Sequence, residues 1–342
     1  MPYPLAMPSS IDAARELVDS RLVPAAGEVD ASGTIPAGHF EALARAGLFG
    51  VALGDDRAHL AEVAETVISG CLATGFVWAQ HHGVALAVAG SARTDLLPAL
   101  RSGDMIAGVS YAGMASHGQT LRARRADAGY VLSGSSALVT GWGIIDMIGV
   151  WAYEESTGQV HLFAIERPET SAGLAATPLD LAAAQASNTV SLAWDEVAVG
   201  ADDLVTSMPA DRRPRGANIT IRLNAALALG ICRSALREFD AVAARRGEFA
   251  DTAAAGHREL SRIRRDLDSS MDDGDALYRH RAAANELAMR LATSVAAATG
   301  SRSVLTGSTP ARLVREALFC AVCASRPAIR DEMLIRLLPQ PR

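Results

Sequence analysis

The stretch Gly134 to Ala152, GSSALVTGWGIIDMIGVWA, places a turn, Thr140-Gly141-Trp142-Gly143, between two apolar, β-rich runs. A Gly-x-Gly behind a strand suggests a nucleotide-binding turn, but here there is no third glycine, no helix directly after it and no acidic residue at the spacing a ribose contact requires. On spacing alone the reading is a β-turn beside a tryptophan. Cys320 and Cys323 form a C-x-x-C inside the apolar helical run LVREALFCAVCAS, and with no second pair or nearby histidine to complete a zinc set they read as core-packing cysteines. His81 and His82 lie on an apolar helix and read as satisfied core or boundary histidines. The acids closest to the glycine turn or to the C-terminal helices are Asp146, Glu238, Asp240 and Asp331, and capping or solvation explains each of them.

The elements that must position these residues change period twice along the chain. Up to about residue 104 the pattern is helical: SSIDAARELVDSRLVPAA starts at a Ser9 or Ser10 cap, TIPAGHFEALARAGLFG has Thr34 as cap with Pro36 in the first turn and stops at Gly47 and Gly50, and HLAEVAETVISGCLATGFVWAQHHGVALAVAG gives one or two buried helices. SARTDLLPALRSGD closes the block. From Met105, the short runs MIAGVSY, QTLRARR, GYVLSG, SALVT, MIGVWAY, QVHLFAIE and TVSLAWDEV are separated by turn residues and predict an antiparallel sandwich or barrel. A linker-like stretch, TSMPADRRPRGAN, leads into four long helices that predict an antiparallel bundle. The fold class is therefore α+β, with an N-terminal helical domain (1–104), a middle β domain (105–206) and a C-terminal helical bundle (207–342).

Composition narrows the function classes. The chain has 342 residues, a formal net charge of −6 and a pI near 5.8, so no basic footprint for nucleic acid is present. Four cysteines in a chain of this length do not form a disulfide framework. No basic segment followed by an apolar run opens the sequence and no uninterrupted membrane span is evident, which predicts a cytoplasmic protein without a membrane partner.

The order helical domain, β domain, four-helix bundle resembles the acyl-CoA dehydrogenase family of flavoproteins over nearly the whole chain. GVSYAGMASHG (Gly108 to Gly118) is similar to the family's flavin-contacting loop "MTEPxAGSD", with Ser110 at the Thr position, Ser116 at the Ser position, Tyr111 at its acid and His117 at its terminal Asp. GSSALVTGWG resembles "GxKxWITNG". That resemblance puts Thr140 near the flavin N5 region and Leu138 where many members pack an aromatic residue on the isoalloxazine. Arg246-Gly247-Glu248-Phe249 is similar to the R-x-x-F element whose arginine reaches the FAD pyrophosphate across the dimer, with His257 at the downstream Gln. SVLTGSTPARLVREA resembles the "QxxGG" loop and "RLxRDA" helix, with Ser303 at the Gln and Thr306-Gly307 at the paired glycines.

The resemblance implies an FAD enzyme, completed by a neighbouring subunit in a homodimer or homotetramer, that oxidises an acyl thioester carried on CoA or a carrier protein and hands electrons to an acceptor the sequence does not identify. It also raises a chemical problem. The α,β-dehydrogenation needs a carboxylate to take the α-proton, yet the family's usual Glu position aligns with Ala324 and the alternative place with Thr220. Asp331 is the acid held in reserve. Two further readings therefore stand beside the first: a two-component flavin-dependent monooxygenase of the same fold, and a non-catalytic partner subunit of a hetero-oligomeric dehydrogenase.

Overall fold

The computed structural model describes residues 9–54, 59–212 and 217–338. Helix α1 (Ser10–Leu17) is capped by Ser9, whose Oγ accepts the Asp12 N–H. It passes through one π turn into α2 (Val23–Ser32). Helix α3 (Ala37–Arg45) differs from expectation: Pro36, not Thr34, sits at its N-cap with extended backbone, because a residue ahead of proline is held out of the helical region. The buried run splits at Cys71 into α4 (Leu60–Gly70) and α5 (Leu72–Ala89), and α6 (Leu97–Ser102) closes the domain.

The middle domain is one eight-stranded sheet: β1 (Ala107–Ser110), β2 (Leu121–Ala126), β3 (Gly129–Val139), β4 (Met147–Glu154), β5 (Gln159–Glu166), β6 (Leu174–Pro178), β7 (Val190–Gly200) and β8 (Leu204–Pro209). Its order is β6-β7-β3-β2-β4-β5-β8, with β1 added to β4 in parallel. GYVLSG and SALVT, expected as two strands, are one strand, β3, with register shifts where it pairs β7. Strand β8 runs to Pro209, past residue 206. Of the linker-like stretch, 213–216 lie outside the described residues.

The C-terminal region comprises α7 (Ala217–Arg245), α8 (Ala250–Ser269), α9 (Gly274–Thr299), α10 (Thr309–Val322) and α11 (Pro327–Leu337). Helix α11 was not expected. By length and composition α7 could cross a membrane, but 72% of its apolar window is buried among other elements, as in a core helix. It packs on α4 and α9, and one continuous core joins the first domain, the sheet and the bundle. Ion pairs reinforce the seam. Arg264 of α8 holds the fully buried Glu65 of α4 with two donors, Nε to Oε2 at 2.9 Å and Nη2 to Oε1 at 2.8 Å.

Candidate functional site

Strand β3 ends at Val139, and the chain then turns at Gly141 (φ +87°) and Gly143 (φ +77°). Both glycines occupy the left-handed region that disfavours side chains. A Cβ on Gly141 would also stand 2.8 Å from the Ile145 side chain. The turn is clamped from the 185–189 loop: Gly141 N–H donates to Ser187 O (2.8 Å) and Trp142 N–H to Asn188 O (3.0 Å). Behind it, Thr140 Oγ1 lies 3.2 Å from Thr189 Oγ1, which lies 2.9 Å from Ser187 Oγ. This hydroxyl chain fixes Thr140. The sequence reading did not find Thr189 and Ser187, since nothing in TVSLAWDEV marks its first hydroxyl as facing a turn fifty residues earlier. Leu138 is 67% exposed, an apolar side chain beside a fixed hydroxyl at the end of a strand.

The Gly108–Gly118 loop separates the two serines assigned to it. Ser110 is buried and donates to Ser136 Oγ (2.9 Å), which also accepts from Trp194 Nε1 (3.1 Å), so this hydroxyl is used inside the sheet. Ser116 is exposed and lies 2.9 Å from His117 Nδ1. The Tyr111 and His117 rings stack at 5.6 Å with 23° between planes. Burial pushes the Tyr111 hydroxyl up, with the charge of Arg326 opposing; burial and then Arg326 hold His117 below its ordinary value. Arg326 therefore faces this loop from the turn after α10, and its Nη1 donates to Tyr278 Oη at 3.1 Å.

That turn carries Ala324, the residue that the resemblance aligns with the family's usual Glu. Ala324 stands exposed at φ +46°, a left-handed conformation unusual for alanine. Arg281 holds it there. Its side chain is buried, and Nη1 donates to Ala324 O (2.9 Å) while Nη2 donates to Cys323 O (2.7 Å). Burial pulls Arg281 down to about 10, which leaves it charged at neutral pH. A sequence signal for Arg281 did exist: it falls on the same α9 face as the buried Leu277, Ala284 and Ala288, where a cation needs acceptors.

Two of the other acids are engaged elsewhere. Asp146 Oδ2 accepts the Ile106 N–H (2.8 Å), and Asp240 pairs with His257 (3.0 Å). Asp331 is exposed on α11. Burial raises Glu316 on α10 to about 7, but its neighbours are Arg312 at 3.6 Å and the α4–α5 junction at Cys71. Cys320 is buried and Cys323 half-buried; burial pushes the Cys323 thiol up to about 12, a value suited to packing. The expectation of satisfied histidines holds only in part. His81 Nδ1 accepts the Ala107 N–H (3.2 Å) and its ring lies against the Leu100 and Phe49 backbone, but both nitrogens of His82, whose ring stands edge-on to Trp78, have no partner among the described residues.

The remaining assigned residues lie at the far end of the bundle. Arg246, past the end of α7, sits over the Phe249 ring at 4.4 Å and pairs with Glu248 at 3.0 Å. Ser303 donates to Ala296 O (2.7 Å) near the end of α9, and Gly307 turns at φ +83° into open space. From Arg281 to Ala296, α9 rises about 22 Å. Along α9, Ser303 is thus well separated from Ala324, and the segments bearing Arg246, Phe249 and His257 pack on bundle helices.

Residues 10–104 match the family model for the N-terminal domain of acyl-CoA dehydrogenases. Among solved structures, the chain is similar to a glutaryl-coenzyme A dehydrogenase in complex with glutaryl-CoA (TM-score 0.82, 18% identity, 98% of this chain and 97% of that one). It is similar also to FkbI, for biosynthesis of the methoxymalonyl extender unit of the Fk520 polyketide immunosuppressant (0.79, 19%, 97% and 100%). A third is butyryl-CoA dehydrogenase from Megasphaera elsdenii (0.77, 16%, 99% and 100%). No curated protein sequence matches. The chain is acyl-CoA dehydrogenase-like, by fold along its whole length and by sequence over its first domain.

Proposed function

We propose that the protein is an FAD-dependent oxidoreductase acting on an acyl thioester of CoA or a carrier protein by α,β-dehydrogenation. The observation that carries this reading is the Thr140 turn. A buried, relay-held hydroxyl, a glycine pair and the exposed Leu138 side chain stand together at the end of β3 in a fold that covers nearly all of known acyl-CoA dehydrogenase chains. These groups fit a flavin ring: the apolar side chain covers a face and the hydroxyl supplies a directional hydrogen bond. When bound, FAD supplies the hydride acceptor.

The chain's own residues must then orient the thioester and take the α-proton. With Ala324 at the usual base position, the titratable side chains that face Arg326 of this turn include Tyr111, His117 and Tyr278. His117, whose charged form burial and Arg326 disfavour, is the acceptor in this reading, and Asp331 remains the reserve. The adenosine and pyrophosphate contacts assigned to Arg246, Phe249, His257, Ser303 and Gly307 come from a second subunit of a homodimer or homotetramer. The electron acceptor is a separate partner.

The test is the absorption spectrum of the protein loaded with FAD, followed by anaerobic titration with acyl-CoAs of several chain lengths. Bleaching of the flavin by a thioester supports the dehydrogenase, and His117→Gln then lowers the reduction rate by about 10²-fold or more while Asp331→Asn does not. A second reading draws on Arg326, a cation that with Ala324 replaces the negative charge expected beside the flavin. Flavin that binds, is reduced only by an external donor and then consumes oxygen identifies a monooxygenase of the same fold. A protein with no flavin affinity is a non-catalytic partner subunit.

A further inference from the structure

On the far side of the sheet from the Thr140 turn's loop contacts, β8 forms an edge and pairs antiparallel with β5, with Ser207 directly opposite His161. Ser207 is exposed, and its Oγ lies 2.7 Å from His161 Nδ1. His161 is buried, and its Nε2 lies 2.9 Å from Glu154 Oε2 at the end of β4. Glu154 is buried as well. Ser156 Oγ donates to its Oε1 (3.2 Å) and Thr157 Oγ1 to its Oε2 (2.9 Å), and Arg125 Nε lies 3.4 Å from Oε1. Burial raises this carboxyl, but the hydrogen bonds from His161, Thr157 and Ser156 outweigh it and leave Glu154 below its ordinary value. The ionised carboxylate accepts the Nε2–H and so sets the tautomer: Nδ1 carries a lone pair aimed at the serine hydroxyl. Tyr130 packs on the imidazole at 5.2 Å and confines the ring.

A carboxylate orienting an imidazole that in turn contacts a hydroxyl is the arrangement that activates a serine, recognised by geometry and not by fold. We propose that Ser207, His161 and Glu154 form a second, hydrolytic site at the outer edge of the sheet, with Ser207 Oγ as nucleophile toward short-chain acyl esters. Ser207 Oγ attacks the ester carbonyl as its proton passes to His161 Nδ1. The C–O bond to the alcohol then breaks, and the alcohol leaves with that proton. Water, deprotonated by the same nitrogen, hydrolyses the acyl-serine to the free acid and restores the hydroxyl. Glu154 is a positioning residue that stabilises the imidazolium. As an edge strand, β8 is paired on one side only, and the main-chain N–H groups on its free side are the class of donor that would hold a carbonyl oxygen. The exposed position of Ser207 fits a small acyl group with no deep acyl pocket.

The experiment is labelling of the full-length protein with a fluorophosphonate probe, read by intact-mass and peptide mass spectrometry over pH 5 to 9, with hydrolysis of p-nitrophenyl acetate followed in parallel. The expected result is one adduct per chain, on Ser207, absent from Ser207→Ala. Its rate rises with pH, because the proton on Ser207 Oγ can pass only to an unprotonated Nδ1, and then levels off. His161→Gln lowers that rate by about 10²-fold or more, and Glu154→Gln lowers it less while shifting the pH profile. The profile on unmodified protein keeps the test decisive if a variant of the buried pair fails to fold. No adduct, adducts scattered over several serines, a flat pH profile or a folded His161→Gln that labels at the original rate would overturn the proposal and leave the three residues as a purely structural network.

Discussion

Arg281 is a buried guanidinium with no carboxylate partner among the described residues, spent instead on two carbonyls of the turn at Cys323 and Ala324. Removing it orphans both acceptors, and each buried unpaired carbonyl costs roughly 1–3 kcal/mol. Arg281→Met is therefore expected to destabilise the protein by about 2–4 kcal/mol in urea unfolding, with the loss discounted for the Ala324 carbonyl, which water can reach. A larger effect is expected on function, because the 323–326 turn would no longer hold Arg326 toward Tyr111 and His117. Thr140→Val keeps the side-chain shape and removes one hydroxyl. One hydrogen bond of about 1 kcal/mol corresponds to a five- to tenfold weaker FAD dissociation constant. Fluorescence titration of FAD into both forms measures this, and an unchanged constant would remove Thr140 from the flavin site.

Helix α5 carries a pH-dependent load. Burial, and after it the neighbouring His81, holds His82 well below the ordinary histidine value, and burial lowers His81 to about 4. In both cases the folded value lies below the unfolded one. Stability is therefore complete above about pH 6.5 and falls as pH drops below it, by up to about 1.4 kcal/mol per pH unit for each histidine. The His82→Phe variant is expected to flatten that slope between pH 6.5 and 4 and to be neutral or stabilising at pH 7, since neither ring nitrogen has a bond to lose. Thermal melts across that range check both statements. The same helix shows what periodicity reveals. Its deep burial was legible from its mostly apolar sequence, whereas the unpaired ring nitrogens of His82 were not, because partners come from other elements. The elements missed are those whose chemistry resembles a stop signal. Strand β6 (LAATP) is an edge strand with mostly exposed residues, so it lacks the alternation that marked β7, and β8 is the opposite edge. Pro327 reads as the end of α10, but as a first-turn residue it also starts α11.

For the whole molecule, the three-layer order was legible because the period of the hydrophobic pattern changes from helix to strand and back, while the assembly was not, because an oligomer interface appears in one sequence only as misplaced apolar residues. The structure locates these. Val314, Leu318 and Val322 recur at four-residue spacing on one exposed face of α10, and Leu334, Ile335, Leu337 and Leu338 are exposed on and just past α11. Val304 and Leu305 add exposed apolar surface at the loop before α10, next to the Gly307 turn assigned to the cofactor. A monomer would leave this surface in water at about 25 cal/mol per Å². In the proposed homo-oligomer the face is covered, and the residues at the far end of one bundle complete the flavin site of another subunit. A charge at the centre of the stripe tests both parts together. Leu318→Glu is expected to shift the particle to monomer mass in analytical ultracentrifugation and to lower FAD affinity by tenfold or more, with no change in far-UV circular dichroism, because the substituted side chain already faces solvent within its own protomer. Monomer with undiminished FAD affinity would place Arg246, Phe249, His257, Ser303 and Gly307 outside the cofactor site. An unchanged oligomer would mean that this face is not the one that assembles.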